Sequence, residues 1–211
     1  MSKELWNERY AEKEYIYGTD PNAFLKEIIE HIEPGKILFP ADGEGRNSSF
    51  AAELGWDVVA FDQSEEGRNK ALKLAESKNV HVDYRISTVE EFEFPENYFD
   101  AIAMIYLHFP ENSRESNHKR LMKFLKPGGL LILEAFSKDQ VNKTSGGPKD
   151  PSLLYSSAIL SNDFKDDCQR YLSVDERETE LLEGEYHKGI ASVVCLIGKK
   201  WVKAEILSRL F

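Results

Sequence analysis

The chain has 211 residues with 27 Lys and Arg against 37 Asp and Glu, a formal net charge of -10, 41% apolar residues and two cysteines. That length suits a single α/β domain with a substantial core, and the negative charge repels phosphate backbones, so nucleic acid is disfavoured and a small-molecule substrate is expected. No run approaches the roughly 18 apolar residues of a membrane span, Met1-Ser-Lys-Glu-Leu-Trp6 is too polar for a secretory signal, and Cys168 and Cys195 form no C-x-x-C pair, so a cytoplasmic protein without metal or disulfide is expected.

In chain order, Leu5 to Glu14 predicts a short helix and Tyr15 to Pro21 a loop, with Asp20-Pro21 favouring a turn. Trp6, Tyr10, Tyr15 and Tyr17 crowd this segment. They either pack a domain edge or close as a lid over a cation, because electron-rich ring faces attract positive charge. Asn22 to His31 predicts a second helix, terminated by Pro34-Gly35.

The run Lys36-Ile-Leu-Phe-Pro-Ala-Asp-Gly-Glu-Gly-Arg-Asn47 carries the most information. Ile37 to Phe39 reads as a buried parallel strand that Pro40 ends, since proline cannot donate to a ladder. Gly43 and Gly45 allow close backbone approach, and Phe50, Ala51 and Leu54 begin a helical pattern. Free N–H groups at such a junction hold a carboxylate, a ribose or a phosphate, although Gly-x-Gly also occurs in turns that bind nothing. Asp57 to Asp62 is a second strand ending in an acid 19 residues after Gly43, close to the roughly 20-residue spacing of a ribose-binding carboxylate. An N-cap role for the helix Glu65 to Ser77 is better served by Ser64.

Val80, Val82, Tyr84 and Ile86 alternate as a third strand, which leads to Ser87, Thr88 and Val89 beside the ribose acid. Phe99 to Tyr106 is a fourth strand, and Leu107-His108-Phe109-Pro110 follows at the sheet's carboxyl edge. His108 suits a general base or substrate contact, and equally a loop histidine bonded to backbone; His31, His81, His118 and His187 receive no role. Asn112 to Leu125 predicts a helix stopped by Lys126-Pro-Gly-Gly129, and Leu130 to Phe136 a fifth strand. The irregular stretch Ser137 to Leu154 is a candidate substrate lid. Ser156 to Asp167 predicts a helix, and Arg170 to Glu183 with Ala191 to Ile197 a hairpin turning through Glu185 to Gly189. Trp201 to Phe211 has helical spacing.

The ordered series Ile37 to Asn47, Val58 to Ser64, Phe99 to Pro110 and Leu125 to Glu134 resembles the class I S-adenosylmethionine-dependent methyltransferases. Trp6-Asn-Glu-Arg-Tyr10 with Tyr17-Gly18 is similar to the small bacterial branch near tellurite-resistance and thiopurine methyltransferases. The resemblance implies an α/β, Rossmann-like, doubly wound and mostly parallel seven-stranded sheet with an antiparallel last strand and helices on both faces. It implies one methyltransferase domain over residues 1–211, with a helical lid segment at 1–34, a core at 35–199 and a tail at 200–211. It puts the methionine part of S-adenosyl-L-methionine at Ala41, Asp42, Gly43, Glu44 and Gly45, the ribose at Asp62, and the adenine near Gln63, Ser87, Thr88 and Val89. Tyr17, Arg46, Ser64 and Ile105 complete that contact set, and Tyr106 and His108 lie near the transferred methyl as catalytic candidates.

The opening loop departs from the family pattern: Phe39 stands where an acid is common and Ala41 where the first glycine is. The sequence carries no Asn-Pro-Pro-aromatic run or Pro-Cys nucleophile of the kind associated with base methylation. The expected reaction is methyl transfer to a thiol, chalcogen oxyanion, amine or carboxylate, by a monomer or weak homodimer. The alternative is a non-catalytic cofactor-binding or interaction protein. A nicotinamide dehydrogenase draws on Gly43-x-Gly45 and Asp62, but Ser48 occupies the third glycine's place.

Overall fold

In a computed structural model, which describes residues 2–12 and 14–202, the predicted strands take their places in one sheet. They are β1 (Lys36–Pro40), β2 (Asp57–Asp62), β3 (Asp83–Ile86), β4 (Phe99–Ile105), β5 (Leu125–Phe136), β6 (Cys168–Glu183) and β7 (His187–Lys200). The strand order is β3-β2-β1-β4-β5-β7-β6. Strands β1 to β5 run parallel, while β7 is antiparallel to both β5 and β6. From β1 the chain winds outward to β2 and β3, then returns to build β4 and β5 on the other side. The carboxyl ends of β1 and β4 therefore diverge over a crevice, the place where open α/β sheets bind ligands.

Alternation along each strand sends side chains to two cores. Ile37, Phe39, Val58, Ala60, Ala101, Ala103 and Ile105 enter one, with residues of the helices α2 (Ala23–Ile29), α3 (Arg46–Glu53) and α4 (Glu65–Ser77). Leu38, Val59, Phe61, Ile102 and Met104 enter the other, with α5 (Glu111–Phe124) and α6 (Ser157–Phe164). Burial on both faces explains why these strands read as nearly continuous apolar runs. The remaining helix, α1 (Lys3–Tyr10), lies against α4, where Asn7 Oδ1 accepts from Ser64 Oγ at 2.7 Å and from the Glu65 N–H at 3.0 Å.

Four expectations change in detail. The third strand starts at Asp83 rather than Val80, because only Asp83 to Ile86 find partners on β2. The Lys126-Pro-Gly-Gly129 stretch lies inside β5, where the register slips between Phe99↔Leu125 and Ala101↔Leu130. Gly129 has Leu125 Cδ1 at 2.7 Å and Lys126 O at 2.9 Å from any added Cβ, so this irregularity needs glycine. The last turn is Gly184 to Tyr186 rather than Glu185 to Gly189, so His187 opens β7. Of the predicted C-terminal helix, Trp201 and Val202 are described and are not helical; the remainder lies outside the described residues.

Candidate active site

A cavity of about 1000 Å³ opens at the carboxyl ends of β1, β2 and β4. Of the predicted set, Tyr17, Ala41, Asp42, Gly43, Glu44, Arg46, Asp62, Gln63, Ser87, Thr88, Val89, Ile105, Tyr106 and His108 line it. Gly45 and Ser64 are not among its lining residues. Gly45 is left-handed at φ 83° and its Cα faces Ala71, whose Cβ would lie 2.5 Å from an added Cβ; it seats the loop on α4. Ser64 caps α4, accepting the Gly67 N–H at 3.0 Å, and is fully buried.

The β1 loop is held by side chains whose roles differ. Asp62 is 6% exposed. Its Oδ2 accepts the Gly43 N–H at 3.1 Å and its Oδ1 the Ser64 N–H at 2.8 Å, which ties the glycine loop to the end of β2. Burial raises its pKa to about 6 against the pull of those N–H groups. Glu44 is spent on the N-terminal segment: it accepts from the Ile16 and Tyr17 N–H groups at 2.9 and 3.3 Å and pairs with Lys70 at 2.8 Å. Asp42 is the exception. Both its oxygens are buried without a hydrogen bond, and burial raises its pKa to about 7, although nearby Ser48 and Arg46 pull the other way. A carboxylate left without partners in a cavity is positioned for a cation.

Ala41 at φ 53° and Tyr106 at φ 54° are non-glycine residues in the left-handed region, one just past β1 and one just past β4. Each conformation carries strain, of the kind that clusters at ligand sites. Tyr106 stacks on Phe136 with ring centroids 4.7 Å apart, and its hydroxyl is buried without a partner. His108 has no nitrogen to spare. Its Nδ1 donates to the Leu153 carbonyl at 2.7 Å and its Nε2 accepts the Phe136 N–H at 3.3 Å, while burial lowers its pKa to about 4. Of its two sequence-level readings, the geometry is that of the backbone-bonded loop histidine. The predicted lid does reach the cavity, through Thr144, Gly146, Gly147, Pro148 and Lys149.

Residues 37–129 match a family model described as a methyltransferase domain. The probable S-adenosyl-L-methionine-dependent methyltransferase TehB of Haemophilus influenzae is 29% identical over 139 residues, 63% of this chain and 49% of that protein. The ubiquinone/menaquinone biosynthesis C-methyltransferase UbiE of Vibrio cholerae is 35% identical over 124 residues, 56% of this chain and 46% of that protein. Residues 37–129 thus carry a methyltransferase domain, and the chain is similar in sequence and fold to the class I S-adenosylmethionine-dependent methyltransferases. It spans about half the length of the curated relatives it matches. The TehB crystal structure superposes on this methyltransferase fold with a TM-score of 0.69 at 18% identity, over 94% of this chain and 66% of that one. A structure solved for the conversion of a disulfide bond into a thioacetal group during echinomycin biosynthesis gives 0.78 at 15% identity, over 99% and 96%.

Sequence reasoning missed a second group in this cavity. His187, 6% exposed, lines the cavity between Tyr17, Tyr106 and Phe136, with ring centroids 4.5, 4.6 and 5.2 Å away. Its Nδ1 meets Glu183 Oε2 at 3.2 Å, and the same oxygen receives Arg46 at 2.9 Å. Burial would raise the Glu183 carboxyl, but His187 and Arg46 outweigh it and hold the pKa down to about 2. The usable signal was Gly184: at φ 70°, with Ile16 O only 2.4 Å from an added Cβ, it makes the tight turn that sends His187 inward.

Proposed function

We propose that the chain transfers a methyl group from S-adenosyl-L-methionine to a small-molecule acceptor in the cytoplasm. The observation that carries this reading is Asp42, an unpartnered buried carboxylate beside the Gly43-Glu44-Gly45 loop. The residues present fit the cofactor. Asp42 suits its ammonium, and the lone pairs of Asp62 left over from the two backbone bonds suit ribose hydroxyls. The ring faces of Tyr17 and Tyr106 suit a sulfonium. When bound, the cofactor supplies an electrophilic methyl group. The chain's part is then alignment and exclusion of water, which supply much of the rate of an in-line displacement.

The acceptor classes open to such a site are a thiol, chalcogen oxyanion, amine or carboxylate. Calorimetry with S-adenosyl-L-methionine, followed by incubation of a labelled cofactor with one acceptor of each class, tests the proposal. Absence of cofactor binding refutes it. The engaged nitrogens of His108 favour a second reading, a cofactor-binding protein without turnover, which any methylated product excludes.

A further inference from the structure

Nδ1 of His187 is occupied by Glu183, whereas Nε2 makes no hydrogen bond among the described residues. A carboxylate on Nδ1 fixes the tautomer, with the proton on Nδ1 and the lone pair on Nε2. This is the geometry of an imidazole base, and it stands beside Tyr106 at the end of β4, where the acceptor is expected. His108 offers no such lone pair.

The walls restrict what that base meets. Tyr106 and Phe136 stack in parallel, inclined by 20°, and His187 stands edge-on to both. Gly146 of the 137–154 loop closes the far side, where an added Cβ would lie 2.7 Å from His187 Cδ2. Among the lining residues the acids Asp42, Glu44, Asp62, Glu90 and Glu185 outnumber the cations Arg9, Arg46 and Lys149. Glu44 is paired with Lys70 and Arg46 with Glu183, and Arg9 donates to the Tyr17 hydroxyl at 3.0 Å, so the acids still outnumber the cations once these pairs are set aside. An acceptor that arrives as an anion meets an opposing field. One that arrives neutral enters without that penalty, and the imidazolium formed when it loses its proton inside balances the charge left on it.

We infer that the acceptor is a neutral aromatic hydroxyl or thiol and that His187 is its general base, oriented by Glu183 as a positioning residue. This rests on the methyltransferase reading above. The acceptor's O–H or S–H proton passes to Nε2, its lone pair forms the new bond to the methyl carbon, and the electrons of the breaking S–C bond stay on the cofactor's sulfur. The imidazolium then releases the proton to solvent. The charged and titratable groups facing His187 are Glu183 from β6, Arg46 from α3, Arg9 from α1, Tyr17, Tyr106 and His108.

The test uses 4-nitrophenol, whose phenolate is coloured. With the protein saturated in S-adenosylhomocysteine at pH 6, the wild type is expected to raise the phenolate fraction well above that of free probe. His187→Gln should lower this rise at least tenfold, and Glu183→Gln should lower it less while shifting the pH midpoint of the titration. With S-adenosyl-L-methionine the wild type should form 4-nitroanisole and His187→Gln should form about a hundredfold less or lower still, a hundredfold being the lower end of the usual range for a general base. Calorimetry with S-adenosylhomocysteine on each variant separates the layers. Loss of cofactor binding in the wild type refutes the methyltransferase reading, whereas intact binding without a His187-dependent phenolate signal overturns this inference alone. A phenolate signal preserved in a folded His187→Gln also overturns it.

Discussion

Asp42→Asn separates the fold's interest from the site's. Burial raises the Asp42 carboxyl from 3.8 to about 7. A group whose pKa is raised on folding favours the fold below its unfolded value and stops doing so as pH climbs through its folded value. At pH 8 the buried charge therefore costs the ligand-free protein about 4 kcal/mol at most. The asparagine should melt at a higher temperature than wild type at pH 8, by about 1–3 kcal/mol of stability, with the difference gone near pH 4. Cofactor binding should respond in the opposite sense. An ammonium pairs with the carboxylate and not with the acid, and for a pKa of about 7 the ionised fraction falls from about 0.9 at pH 8 to about 0.1 at pH 6. Wild-type affinity should consequently drop about tenfold over that interval, or about 1.4 kcal/mol, with roughly half a proton released per cofactor bound at pH 7. Calorimetry in two buffers of different ionisation enthalpy measures both quantities. Asp42→Asn should bind weakly and lose this part of the pH dependence. A wild-type affinity that is flat from pH 6 to 8, with no proton released, would refute the pairing.

Asp62→Ala should weaken cofactor binding by about 1.5–3 kcal/mol, because it removes a ribose acceptor and frees the Gly43 and Ser64 N–H groups it holds; unchanged affinity in a folded variant would take Asp62 out of the site. Gly45→Ala drives a Cβ to 2.5 Å from that of Ala71 at a left-handed backbone position, so unfolding should be easier by about 2–3 kcal/mol in a denaturant melt. Ala41→Gly relieves about 1 kcal/mol of left-handed strain and returns a similar amount as chain entropy, leaving the melting temperature within about 3 °C of wild type. A large stabilisation there would show that the strain is greater than the dihedral implies.

What could be read from the sequence was local in its physics. The β1 strand, its glycine loop and α3 follow from propensity and spacing within a dozen residues. Ser64 as the cap of α4 follows from the same kind of signal, and the order of motifs made the fold class readable. The backbone bonds that Asp62 makes were not visible, because they depend on how β2 and the loop approach in space. His187 was hidden for a related reason. Whether it sits in a turn or begins a strand is decided by Gly184 packing on Ile16, a contact between segments some 168 residues apart in sequence. The Lys126-Pro-Gly-Gly129 stretch gave a true glycine signal but the wrong element, since a strand irregularity and a loop call for the same residues.

The junction at Ile16, where the Glu185 N–H donates to the Ile16 carbonyl at 3.0 Å, also bears on how the protein matures. The five parallel strands and their helices are all made before β6 and β7 exist on a growing chain. Contacts of such long sequence separation form late, because loop closure must come first. The cavity is therefore the last thing completed: its wall joins the first two dozen residues to the closing hairpin. A shortened chain that ends before β6 can bury much of its apolar core and still lack His187, Glu183 and the clasp on the N-terminal segment. Ligand binding thus reports on a finished molecule in a way that secondary structure content does not.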